Sequence, residues 1–223
     1  NDDDCWFLSS RGNFYKYNIK LNKIEETINS KNGGPSVVKY VCIDNKSRIW
    51  MASDTTCVFY DKRTKMIYKL ANHKLDSLSR NSMFGLVSDI NGNIWLGIRS
   101  FGLVKVTEYG TNTFELRAIG PSEGIPTTKL YRLGSDAKGN IWISSKIGIL
   151  LVKNNPISFS LFNRSAGIDK NTANMFFINA GSNSFYIATE NKYCKVDESV
   201  IRTPLPVPSA YIDKIKVMNA SRN

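Results

Sequence analysis

The chain has 223 residues, 42% apolar and 22% charged, enough for one large domain or two small ones with a core that needs no disulfide or metal, and too balanced for a disordered or collagen-like chain. Thirty Lys and Arg against nineteen Asp and Glu leave a charge of +11, which favours an anionic partner such as a polysaccharide, nucleic acid or phospholipid surface, although the basic residues are dispersed singly and read first as a solvated surface. The longest apolar run, 147–152, is far short of the roughly 18 residues that a membrane span needs.

The start, Asn1-Asp2-Asp3-Asp4, carries no basic or apolar leader, so a mature product or an excised fragment is expected. The first strand follows at once, over Cys5-Trp6-Phe7-Leu8-Ser9. An apolar run at 37–43 leads into Asp44-Asn45-Lys46-Ser47-Arg48-Ile49-Trp50. The run at 83–87 leads into Asp89-Ile90-Asn91-Gly92-Asn93-Ile94-Trp95, and that at 129–133 into Asp136-Ala137-Lys138-Gly139-Asn140-Ile141-Trp142. A looser copy runs from Asn179 to Phe185.

An Asp followed three residues later by Gly supplies a tight hairpin with its positive-φ position. Third strands are predicted from Cys57, Gly102 and Gly148, and fourth strands over 113–119 and 158–162. Trp6, Trp50, Trp95 and Trp142 recur at spacings of 44, 45 and 47 residues, and Phe185 follows 43 residues later. Four strands in about 45 residues make one propeller blade. A β-sandwich would explain the strand density but not the fixed period of the Trp. The fold class is therefore all-β, a β-propeller of about five four-stranded units, with a flat aromatic on each second strand packing neighbouring blades apart.

The unit, an apolar strand, then Asp-x-x-Gly-x-Ile-Trp, then a Gly-led strand, resembles the two-component regulator propeller repeat of Bacteroides-type hybrid sensor kinases. Gly124-Ile125-Pro126-Thr127-Thr128-Lys129-Leu130-Tyr131 is similar to that family's lead-in to a first strand, and Gly167-Ile168-Asp169-Lys170-Asn171-Thr172 is a weaker copy. Ser47 in place of the turn Gly, and Asp54-Thr55-Thr56-Cys57 without a Gly, depart from the pattern. The resemblance implies seven blades, often two propellers in tandem, so five units entering at a second strand imply the C-terminal part of a longer periplasmic ectodomain. A ring of five blades is the alternative. Blades are expected over 1–200 and a stiff Pro-rich connector, with Pro204, Pro206 and Pro208, over 201–210. By resemblance, 211–223 opens a truncated Ig-like three-Tyr domain.

Chemistry is scarce. Cys5, Cys42, Cys57 and Cys194 lack C-x-x-C spacing and His73 is the single histidine, so no metal site is expected and the cysteines read as small buried hydrophobes. The predicted inner strands carry no paired carboxylates for a glycosidase, and Asp44, Asp89 and Asp136 read as turn residues. Gly120-Pro121-Ser122-Glu123-Gly124 fits G-x-S-x-G, yet Pro126 follows where a helix is needed. No cofactor motif occurs, and the expectation is a binding domain, not an enzyme.

In a propeller, the turns from second to third strand and the connections from fourth strand to next blade share one rim. Arg11, Asp54, Arg99, Lys146 and Glu190 fall on the former, and His73, Lys74, Arg80, Lys129, Arg164 and Lys170 on the latter. Arg11, Arg99, Phe101, Lys146 and Arg164 are the candidate ligand residues, since Arg forks a carboxylate or sulfate while an aromatic stacks on a sugar ring; solvated loop charges are the alternative.

Through the resemblance, the expected function is periplasmic sensing. A glycan breakdown product, acidic if the charge is used, would signal to a kinase, with the rest of the ectodomain and a homodimer mate as partners. An interaction propeller without a small ligand is the second reading, which an exposed apolar patch on the rim would favour. Nucleic acid is not expected, because basic and aromatic residues do not interleave on a strand platform.

Overall fold

Each Asp-led turn closes a hairpin, and hairpins in series make meandering antiparallel sheets. The computed structural model describes residues 4–70, 82–163, 168, 175–179, 185–188 and 193–196. Among them, strands β1 (Asp4–Leu8), β2 (Phe14–Asn18) and β3 (Lys23–Ile28) form the first sheet. Four strands each form the second, β4 (Tyr40–Ile43), β5 (Ile49–Ala52), β6 (Cys57–Asp61) and β7 (Met66–Lys69), and the third, β8 (Met83–Ser88), β9 (Ile94–Ile98), β10 (Gly102–Gly110) and β11 (Thr113–Ile119). The fourth holds β12 (Leu130–Ser135), β13 (Ile141–Ser145), β14 (Gly148–Asn154) and β15 (Ile157–Phe162), and the fifth β16 (Phe176–Asn179), β17 (Phe185–Ala188) and β18 (Tyr193–Val196). The five sheets are the blades of a β-propeller, and β4, β8, β12 and β16 neighbour one another as its innermost strands.

The core lies between blades rather than within any one of them. Trp50 of β5 packs with Leu86, Val104 and Val106 of the third blade. Trp95 repeats the arrangement against Ile141, Leu150 and Val152, and Trp142 against Met175 and Ile187. Trp6 and Phe14, stacked at 5.2 Å, close the seam to Ile49, Met51 and Tyr60. A blade is apolar on both faces and satisfies them only against its neighbours, so stability accumulates seam by seam.

At the turns, Gly92 and Gly139 take φ 79°, and their missing side chains also leave room for the preceding blade. A Cβ would lie 2.4 Å from the Asn45 side chain at Gly92 and 2.8 Å from Ile90 at Gly139. Ser47, the departure from the repeat, accepts the left-handed conformation with φ 61°.

The cysteine expectation holds for Cys57 alone among the fully buried positions. Burial pushes its thiol up to about 12, and Cys42, partly buried, is likewise raised by burial. Cys5 and Cys194 are exposed, a correction. Cys5 alternates to the face of β1 opposite Trp6, which no described blade covers, and β18 is the edge of its sheet.

Ser144 on β13 is fully buried, and its hydroxyl has no hydrogen-bond partner among the described residues. Ser144→Ala is therefore expected to leave the fold intact and raise its stability by about 1 kcal/mol. A urea midpoint lower than that of the parent chain would contradict this.

Candidate functional site

The repeat Asp is the keystone of each hairpin. Asp89 Oδ1 accepts from the backbone N–H of Asn91 at 3.0 Å and of Asn93 at 2.9 Å. Its Oδ2 accepts from the Trp95 indole N–H at 2.9 Å and from Asn93 Nδ2 at 2.8 Å. Asp136 serves Trp142 and Asn140 in the same way, and Asp44 serves Trp50. A spacing of six thus places a carboxylate under the indole nitrogen, which a turn requirement alone does not demand.

The same carboxylates reach across the seams. Asn154, at the end of β14, donates to Asp89 Oδ2 at 2.9 Å and accepts from Lys105 Nζ at 2.9 Å. Strand register makes Glu108 of β10 the counterpart of Asn154, since Lys105 pairs Trp95 as Leu151 pairs Trp142. Across the second-to-third seam the pattern becomes ionic. Arg48, standing where the other turns have Asn93 and Asn140, donates from Nε to Asp44 Oδ2 at 2.6 Å and from Nη2 to Glu108 Oε2 at 2.8 Å. Its guanidinium carbon lies 4.8 Å from the Phe59 ring centroid, with Trp50 and Phe114 each at 5.7 Å. Burial tends to raise the Glu108 carboxyl, but bonds from Arg48, Lys46 and the Asn112 N–H together hold it below the usual 4.5. For Arg48, burial opposes the charge and the two carboxylates outweigh it, so its value is raised.

A cleft of about 580 Å³ opens on this seam, lined by Lys46, Arg48, Lys62, Arg63, Tyr68 and Asn112 together with the carboxylates of Asp61 and Glu108. Four cations face two carboxylates there. Lys46 is tied to Glu108 at 2.7 Å and Arg63 is 3.7 Å from Asp61. A smaller cleft of about 220 Å³ lies on the first-to-second seam, and Lys62 lines it too, with Trp6, Lys16 and Tyr60. Both clefts open where first-to-second and third-to-fourth strand turns emerge, the rim opposite to that of the candidates from sequence.

Arg11, Arg99 and Lys146 are exposed at the turns after β1, β9 and β13. Phe101 differs from expectation, because it packs partly buried against the second-to-third core instead of facing outward. Near Arg99, Asp54 pairs with Lys39, which holds its carboxyl below the ordinary value, and accepts from Ser82 Oγ at 3.1 Å. Arg164, with His73, Arg80, Lys170 and Glu190, lies outside the described residues. Ser122 sits in a 3₁₀ turn, Pro121–Glu123, and its hydroxyl donates to Glu123 at 2.8 Å, without the strand-to-helix elbow. The cleft escaped the sequence because its cations come from two separate hairpins, β4–β5 and β6–β7, and its Glu108 from a third in the next blade; the basic stretch Lys62-Arg63-Thr64-Lys65 was the available signal.

This geometry defines a β-propeller whose polar clefts sit on its blade seams. Among solved structures, the extracellular domain of the hybrid two-component system BT3049 from B. thetaiotaomicron matches with a TM-score of 0.63 and 17% identity, over 88% of this chain and 28% of that one. The extracellular domain of BT4673 from the same organism matches with 0.63 and 15%, over 85% and 25%. A streptogramin B lyase matches with 0.56 and 13%, over 93% and 67%. At such identities the shared property is the fold. The chain spans about a quarter of the length of the two-component domains it matches. No protein-family model and no curated protein sequence matches it. Among the described residues, no helix is long and apolar enough to cross a membrane.

Proposed function

We propose that this chain is part of the ligand-sensing ectodomain of a periplasmic two-component sensor, and that it takes a glycan breakdown product carrying an acidic group. The observation that supports this reading is the recurrent likeness of its fold to the extracellular domains of hybrid two-component systems. The cleft between the second and third blades is the preferred site, because Lys62 and Arg63 add charge beyond what Asp61 and Glu108 neutralise and Arg forks carboxylates and sulfates. A ligand held there touches the Lys46, Glu108 and Arg48 cluster that joins the two blades, so occupancy alters the seam. The change would pass to a kinase through the Pro-rich segment 201–210 expected from the sequence, which like 211–223 lies outside the described residues, and the pairing of two ectodomains.

Calorimetric titration with neutral and acidic oligosaccharides, at low and moderate salt, tests the reading. Salt-sensitive binding of an acidic member is expected, weakened about tenfold or more by Lys62→Ala with Arg63→Ala. The same loss from Arg99→Ala with Lys146→Ala instead moves the site to the opposite rim. Binding of no oligosaccharide defeats the proposal.

A further inference from the structure

Three successive blades present an exposed apolar side chain at equivalent hairpins. The hairpin from β2 to β3 carries Ile19 and Leu21, 56% and 58% exposed; that from β6 to β7 carries Met66, 56% exposed; that from β10 to β11 carries Tyr109, 72% exposed. Equivalent turns of a propeller lie on one face of its disc, so these tips meet a flat surface together. Basic residues interleave with them, in Asn18-Ile19-Lys20-Leu21-Asn22-Lys23 and in Lys62-Arg63-Thr64-Lys65-Met66. The fourth blade breaks the series, with Asn155 and Pro156 at its tip.

We infer that this rim of the first three blades docks on an anionic phospholipid surface. Apolar tips flanked by Lys and Arg are the composition that settles at a bilayer interface, where aliphatic groups enter the acyl boundary and cations meet headgroup phosphates. Tyr109 suits the headgroup level, with an apolar ring and a polar end. An acidic protein partner would use the charge, but it would cover such tips with pockets, whereas tips repeated on one face of the disc with charge spread among them match a plane. This inference shares Lys62 and Arg63 with the proposed glycan cleft, and its test is kept separate by Ile19, Leu21 and Met66, which do not line that cleft.

The test is co-sedimentation of the chain with phosphatidylcholine vesicles, with and without phosphatidylglycerol. Binding is expected only with the anionic lipid and is expected to weaken with salt. Ile19→Ser, Leu21→Ser and Met66→Ser combined should reduce it at least about tenfold, and Lys20→Glu, Lys23→Glu and Lys65→Glu each by about fivefold. Lys31→Glu, on the opposite rim, controls for net charge, and thermal midpoints control for folding. Absence of binding, equal binding to neutral vesicles, or an equal loss from Lys31→Glu overturns the inference. So does lipid-independent self-association that the triple Ser variant abolishes, which assigns the surface to a second copy of the chain.

Discussion

Asp89→Ala is expected to lower the unfolding free energy by about 3–5 kcal/mol, the largest loss available from a single turn position. The carboxylate is almost wholly buried and its two oxygens accept from five groups: the Asn91 and Asn93 amides, Asn93 Nδ2, Trp95 Nε1 and Asn154 Nδ2. Alanine leaves the buried donors among them, the Asn93 amide and the Trp95 indole, without their acceptor. Asp89→Asn separates acceptor chemistry from size, because its amide nitrogen would face donors only. It should be nearly as damaging, by about 2 kcal/mol or more. Asn154→Ala removes only the cross-seam bonds to Asp89 and Lys105 and should cost less, about 1 kcal/mol. Urea unfolding followed by tryptophan fluorescence measures all three. An Asp89→Ala midpoint close to that of the parent chain would show that the turn holds its shape without the carboxylate.

Glu108→Ala is the second large change, expected to destabilise by about 3–5 kcal/mol because the buried Arg48 guanidinium loses one of its two counter-charges. Arg48 and Glu108 are both largely shielded from solvent, so salt should hardly soften the loss, whereas Lys46, more than half exposed, adds little. The strand register offers a rescue. Arg48→Asn combined with Glu108→Asn installs the neutral pair of the next seam, Asn93 and Asn154, and should recover at least half of the loss. A double variant no more stable than Glu108→Ala would rule out the equivalence of the two seams.

The Glu108 contribution depends on pH with a definite sign. Its folded-state value lies below the usual 4.5, so the folded state binds the proton more weakly than the unfolded chain does. The stabilisation is present above about pH 4.5 and is lost as pH falls through the lower folded value. Acid unfolding of the parent chain should therefore begin below about pH 4.5, and Glu108→Gln should show a shallower decline over that range. Equal slopes for the two would locate the acid-sensitive group elsewhere.

Much of the architecture was legible because the repeat is local. The Trp spacing marks blades, and Asp-x-x-Gly marks the hairpin that precedes each Trp strand, as the register of β8 with β9 and of β12 with β13 bears out. The six-residue interval from Asp to Trp was visible as well, yet its cause was not. A turn needs the Asp, but only the folded hairpin shows that the same carboxylate accepts from the indole. Phe101 illustrates the opposite error, since its place beside Arg99 suggests a sugar platform, while the core between the second and third blades takes up part of its ring.

The seam network was hidden for a simple reason. Arg48 and Glu108 are 60 residues apart, and neither has a local pattern that singles it out from other charges in strands and turns. The three cleft-lining hairpins likewise span two blades, β4–β5 and β6–β7 in the second and β10–β11 in the third, and their approach is set by how far each sheet is rotated about the axis. From sequence alone came the all-β class, the unit length, the turn acids and the positions of the tryptophans, because hairpin and strand preferences act over a few residues. The tertiary structure decided which charges share a seam, which rim carries the cleft and which apolar side chains stay exposed at the hairpin tips, because those relations arise only when whole blades pack face to face.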